Sequence, residues 1–105
     1  KEFKLTGDIV AELKYDGEVE DRDGNTHIGE ESSEYIACYY LAVDGNNADT
    51  VVLTYYRDDF DYNLLVGDNV TMYGTLLEGG MESKNSNGTI TTIPAVIAVM
   101  IDLNN

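Results

Sequence analysis

Between residues 67 and 76 the chain reads Gly67-Asp68-Asn69-Val70-Thr71-Met72-Tyr73-Gly74-Thr75-Leu76, a Gly-Asp turn running straight into strict alternation. Val70, Met72, Gly74 and Leu76 fall on one side, and Thr71, Tyr73 and Thr75 on the other. Successive side chains of an extended backbone point to opposite faces, so this period-2 pattern of β-branched and aromatic residues predicts a half-buried strand. Gly74, on the apolar side, predicts a sharp bend or the close approach of another backbone. A chain organised around such a strand needs further strands to pair with it.

Residues 1–15 supply the first: Phe3, Leu5, Gly7, Ile9, Ala11, Leu13 and Tyr15 alternate with Lys4, Thr6, Asp8, Glu12 and Lys14, and only Val10 interrupts. Gly7 marks a place where this strand could bend from one sheet into another. Residues 16–33 turn polar, with Asp16-Gly17 and Asp23-Gly24-Asn25 as tight-turn signals around Val19, and predict a mobile hairpin or long loop. Residues 34–43 return to a strand apolar on both faces, Asp44-Gly45-Asn46-Asn47 turns it, and residues 50–56 make a third strand antiparallel to the second. Residues 57–66 hold the one helical candidate, about two turns long, with Phe60, Leu64 and Leu65 at helical spacing behind Asp58, Asp59 and Asp61. After the organising strand come a polar excursion over 79–88, a hairpin signal at Asn87-Gly88 and a possible short strand over 89–93. Pro94 cannot sit in the paired middle of a sheet, so it is read as opening a last strand over 95–102, buried on both faces.

This order predicts an all-β chain, a small five-stranded Greek-key barrel of the oligonucleotide/oligosaccharide-binding (OB) type. It would carry a long acidic loop between its first two strands and an extra hairpin between strands four and five. An SH3-like barrel or a small sandwich are the competing all-β answers. The segments VVLTYY, LLVGDNVTMYGTLLEGG and GTITTIPAVIAVMI resemble the OB-type domain of uncharacterised secreted proteins and lipoproteins of Gram-positive bacteria. That resemblance implies an extracellular or cell-surface-anchored domain, held at a membrane only through a tether.

At 105 residues the chain has the length of one domain, 1–105. Twenty acidic residues against six basic ones give a net charge of −14, which repels phosphate backbones and anionic lipid and argues against a nucleic-acid partner. The single cysteine, Cys38, can form no internal disulfide and reads as a buried, inert thiol. His27 is the sole histidine and lies in the polar segment, and no serine occupies a strained nucleophile turn. No enzyme activity and no cofactor are therefore expected.

Two sets of residues stand out as candidate sites. Tyr39, Tyr40, Tyr55 and Tyr56 lie on strands two and three, whose outer face is the usual ligand platform of OB barrels. Each adjacent pair must put one ring on each side of its strand, so at least one of each pair should be partly exposed. Asp21, Asp23 and Glu30 around Gly24 offer alternating carboxylates, a turn glycine and a late glutamate, a weak echo of a calcium loop. Val19 falls where the first ligand would be, which rules out a true EF-hand, and a solvated acidic turn is the simpler reading. The expected function is a non-catalytic extracellular module that recognises a protein or glycan through its tyrosine face. The alternative is a small-ligand or calcium-sensing domain that uses the loop over 16–33.

Overall fold

In the computed structural model, residues 2–45, 49–60, 64–84 and 86–104 are described, with Phe3, Ser83 and Lys84 as backbone alone. The strands are β1 (Glu2–Leu13), β2 (Val19–Glu20), β3 (Thr26–His27), β4 (Ile36–Val43), β5 (Thr50–Tyr56), β6 (Asn69–Lys84) and β7 (Ile90–Leu103). Five of them form one sheet in the order β1-β4-β5-β7-β6, and β6 pairs back onto β1. The β5–β7 pairing is parallel and the other pairings are antiparallel. This all-β arrangement is compatible with an OB-like fold. The short strands β2 and β3 pair only with each other, inside the β1–β4 connection.

The organising strand is β6, and the turn ahead of it is tied to β1. The Gly67 N–H donates to the Ile9 carbonyl and the Ile9 N–H to the Asp68 carbonyl, each at 2.8 Å. The barrel interior is filled from every main strand: Ile9, Tyr39, Leu41, Leu53, Tyr55, Val70, Met72, Val96 and Ile101 are all buried in one cluster. Tyr39 and Tyr55 stack with centroids 6.1 Å apart, and Phe60 meets Tyr55 edge-on at 4.8 Å. Phe60 and Leu64 thus pack an end of the barrel from the β5–β6 connection. The helix read over 57–66 is only a 3-10 turn at Arg57–Asp59, since Phe60 already has extended backbone at φ −137°. Residues 61–63 lie outside the described residues.

Three irregularities reset the alternation, and each changes an expectation. The β1–β4 register shifts between Ile9 and Ala11, leaving Val10 as the extra residue. The odd-numbered side chains of β1 therefore point inward only as far as Ile9, and Leu13 packs instead on the outside of the sheet, near Cys38. On β7, Tyr73 pairs with Met100 while Gly74 pairs with Ala98, so Val99 is extruded. Val99 and Met100 are exposed, and the stretch read as buried on both faces is covered on both only near its start. Leu76 is likewise exposed, because β1 pairs with β6 only as far as Thr75. The third irregularity sets Glu78, Gly79 and Gly80 of β6 against Pro94 of β7, between the pairs Leu77–Ala95 and Met81–Ile93. Pro94 has no N–H to give to a ladder, so β7 can pass through it because the partner strand bulges at that point. Gly79 and Gly80 take φ of +85° and +65°, the left-handed region that glycine enters without steric cost.

The acidic segment, read as a mobile hairpin or loop, is built as a small substructure. It comprises the β2–β3 pair and a 3-10 turn over Gly29–Glu34. Val19 and Ser32 are both buried. The Ser32 hydroxyl hydrogen-bonds to the carbonyl oxygens of Gly17 and His27, holding both ends of the segment to its centre. A hydroxyl has one proton, so the two bonds share it, and alanine would leave both carbonyls short of a partner at a cost of about 1–3 kcal/mol. Ser32→Ala is expected to raise amide exchange in residues 17–34 and leave β6 and β7 unchanged; equal protection in both proteins would contradict this.

Candidate functional site

Outside the barrel lies a second apolar cluster, centred on Cys38, Val52 and Ala95 and extended by Leu13, Tyr15, Tyr40, Leu77, Met81 and Ile93. All of these but Ala95 line an open groove of about 460 Å³, to which Lys14, Asp16 and Glu82 also contribute. The floor comes from the outward positions of β4 and β5, where Tyr40 stands opposite Val52 and Cys38 opposite Thr54. One wall exists because the Val10 bulge turns Leu13 outward, and the other because the glycine bulge opposite Pro94 carries the Met81–Ile93 pair over the sheet. Tyr15 completes the groove beside Leu13, its hydroxyl donating to the Glu18 carbonyl at 3.0 Å. A Cβ at Gly17 would lie 2.6 Å from that hydroxyl, so Gly17 keeps open the space the Tyr15 ring occupies. Burial raises the Tyr15 phenol above its ordinary value, so the ring is neutral. Burial also pushes the Cys38 thiol up to about 11, against a smaller opposing pull from Arg57. The group at the groove floor is a protonated thiol and a poor nucleophile.

A second depression, of about 310 Å³, adjoins the groove and shares Leu13 and Lys14 with it; Glu12, Ser33 and Arg57 complete its lining. The Arg57 Nε donates to the Ser33 carbonyl at 2.7 Å. Among the described residues neither Lys14 nor Arg57 forms an ion pair, whereas Arg22 is committed to Asp58 and Asp59. Two of the six basic residues thus stand without an ion pair at one edge of the groove, whose lining also holds Asp16 and Glu82.

The four tyrosines separate as the strand geometry requires. Tyr39 and Tyr55 point into the core at 1% and 2% exposure, so they cannot touch a ligand on the face. Tyr40 sits in the groove, and Tyr56 is 45% exposed beside the acidic segment, where it lines a smaller depression with Tyr35 and Asp58. Of the calcium candidates, Asp21 spends one oxygen on the Asp23 and Asn25 backbone N–H groups and the other on His27. Asp23 and Glu30 are exposed, and among the described residues no group of three His, Cys, Asp or Glu side chains is placed to hold a metal ion. Sequence reasoning missed Leu13, Lys14, Tyr15, Met81 and Ile93. Its available signals were Val10 breaking the alternation and Gly79-Gly80 facing a proline across a strand pair.

No family model matches the chain, and no curated protein matches it. Among solved structures it is similar to the N-terminal domain of PriB protein from Thermoanaerobacter tencongensis, itself described as dimeric. The likeness covers 99% of this chain and 96% of that one, with a TM-score of 0.57 and 19% identity. At that identity it speaks for the fold, and it supports the OB-like reading without supporting the secreted Gram-positive lipoprotein resemblance. It also corrects two expectations. The extracellular module for a protein or glycan, with its calcium-sensing alternative, does not stand, and neither does the exclusion of a nucleic-acid partner. The exclusion rested on total charge, which ignores where charges sit. Eight of the twenty carboxylates belong to residues 16–34, of which Asp16 alone lines the groove, while Lys14 and Arg57 lie together in the depression beside it.

Proposed function

We propose that this domain is a non-catalytic binder of single-stranded nucleic acid, with bases in the Tyr15–Tyr40 groove and backbone phosphate in the adjoining Lys14–Arg57 depression. The observation that carries the reading is this adjacency: a groove walled mostly by aromatic and aliphatic side chains, with Asp16 and Glu82 also in its lining, lies directly beside two cations that form no ion pair among the described residues. Single strands are held by just these two elements, stacking that is indifferent to sequence and charge that follows the backbone. The structural likeness adds the fold on which such surfaces are found between the first loop and the last hairpin. The net charge of −14 acts as a penalty on affinity. It is long-range and is screened beyond a Debye length of about 10 Å at 0.1 M salt, whereas stacking is not.

The test is fluorescence anisotropy with a labelled oligothymidylate of about 16 nucleotides, enough to cover the largest footprint of one OB domain. Saturable binding is expected at about 0.1 M salt, where the long-range repulsion is screened. Its logarithmic salt slope should be near −1.4, from about −0.7 for each of two neutralised phosphates. Tyr40→Ala should weaken binding by roughly five-fold or more, since one stacked base contributes ~1–3 kcal/mol. Lys14→Glu should lower the affinity and halve the slope. No binding at about 0.1 M salt, or binding that Tyr40→Ala and Lys14→Glu both leave unchanged, would overturn the proposal.

A further inference from the structure

We propose that residues 16–34 form a flap latched by the imidazolium of His27, and that the flap loosens when His27 loses its proton. His27 Nδ1 lies 2.6 Å from a Glu31 carboxylate oxygen, and Nε2 lies 2.8 Å from one of Asp21. Ionised carboxylates only accept, so both ring nitrogens must carry a proton for both bonds to form. A neutral imidazole has a single N–H and must give up one of them. The ring is stacked as well as clamped: it lies on Tyr35 with centroids 4.1 Å apart, and its side chain is 13% exposed.

The latch joins every part of the segment. Asp21 stands at the β2–β3 turn, where its second oxygen also holds the Asp23 and Asn25 N–H groups, and Glu31 belongs to the 3-10 turn. His27 itself lies on β3, and its carbonyl accepts from the buried Ser32 hydroxyl. Tyr35 leads into β4, and burial first, then the charges of Glu31, Asp21, Glu34 and Asp58, raise its phenol, which is neutral. Arg22 links the segment outward to Asp58 and Asp59. The carboxylates around the ring are therefore Asp21 and Glu31 in contact, with Glu34 and Asp58 behind Tyr35. Beneath the flap, Val19 is buried and lines a cavity of about 220 Å³ with Ile36, Thr54 and Tyr56 on the outer side of β4 and β5. Release of the latch would open that face.

The Asp21 bond, and after it Glu31, raise the His27 pKa above its ordinary 6.5. A group raised by folding contributes stability in full below its unfolded value and loses it as pH rises through the folded value. Asp21 behaves oppositely. Held down to about 2 first by His27 and then by the Asn25 N–H, it contributes above its ordinary 3.8 and loses this as pH falls towards about 2. The flap is therefore tightest between pH 3.8 and 6.5 and loosens on the alkaline side of 6.5.

Because His27 is the only histidine, its imidazole resonances in an NMR titration need no assignment. The same samples give amide hydrogen exchange, corrected for the intrinsic effect of pH. Expected are a His27 midpoint above 6.5 and a loss of protection in residues 16–34 with that same midpoint, about ten-fold for each unit of elevation, while β6 and β7 stay protected. His27→Gln should have low protection in the segment at all pH values, and Asp21→Asn should return the His27 midpoint towards 6.5. A wild-type midpoint at or below 6.5 would overturn the latch. Protection that ignores the histidine titration, or that falls only with the whole domain, would do the same. None of these readouts involves nucleic acid, so the latch and the binding proposal fail independently.

Discussion

Gly74→Val is expected to destabilise the domain by about 3 kcal/mol or more, a large share of what a small domain has. Gly74 lies inside the barrel on β6, paired with Phe3 on one side and Ala98 on the other. A Cβ there would overlap the Ile97 carbonyl oxygen and come within 2.9 Å of both its carbon and the Met72 methyl. The methionine end could swing away. The Ile97 carbonyl could not, because Ile97 is held between Thr54 on β5 and Thr75 on β6. Relief would require separating β6 from β7, the longest pairing in the sheet. Urea denaturation followed by circular dichroism measures the effect. Gly67→Ala is the reference: Gly67 has φ +99° and nothing within 4 Å of its Cβ, so alanine there meets only backbone strain, about 1–2 kcal/mol. A Gly74→Val midpoint equal to or above that of Gly67→Ala would refute the steric account.

The second large effect is expected at Gly7→Val, also a loss of a few kcal/mol and read in the same denaturation series. Gly7 is paired on both sides, with Val43 and with Val70, and is buried. A Cβ would overlap the Ala42 carbonyl oxygen, with the Ala42 carbon at 2.9 Å and the Val43 Cα at 3.1 Å. All three are backbone atoms of β4, so no rotamer change makes room. Loss of pairing at this point would free the β1–β4 edge, and amide protection of residues 7–9 and 41–43 should fall with the global stability. A Gly7→Val protein that keeps the wild-type urea midpoint would show that β1 and β4 can part there at no cost.

Both glycines were visible in the sequence as breaks in the apolar side of an alternating strand. What was not visible is the obstacle at each. For Gly7 the sequence suggests a bend between sheets, yet the constraint found is the carbonyl of a neighbouring strand. The same limit explains the groove. Tyr40 was legible as one of a tyrosine pair that could not both face inward, and the structure selects it over Tyr39. Leu13 and Met81 were assigned no role at a site, because the rule that places a side chain on a face counts residues by twos and fails at the first bulge. The acidic segment was legible only as a hairpin or loop with a turn at Gly24, for a related reason. Its composition is that of a solvated loop, and nothing local shows that His27, Asp21 and Glu31 would converge or that Ser32 would be buried.

The sequence by itself determined the all-β class, the places of the main strands, the turn that precedes Asn69, and the split of each tyrosine pair across its strand. These follow from alternation and turn chemistry, which act over a few residues and need no partner. The tertiary structure decided the rest: that Val10, Val99 and the Gly79-Gly80 step reset the faces, that Leu13, Tyr15, Tyr40 and Met81 meet in one groove, and that Lys14 and Arg57 come to its edge from positions 43 residues apart in the chain. Those outcomes depend on register between strands distant in sequence, and a single extra residue in one strand turns every later side chain to the other face.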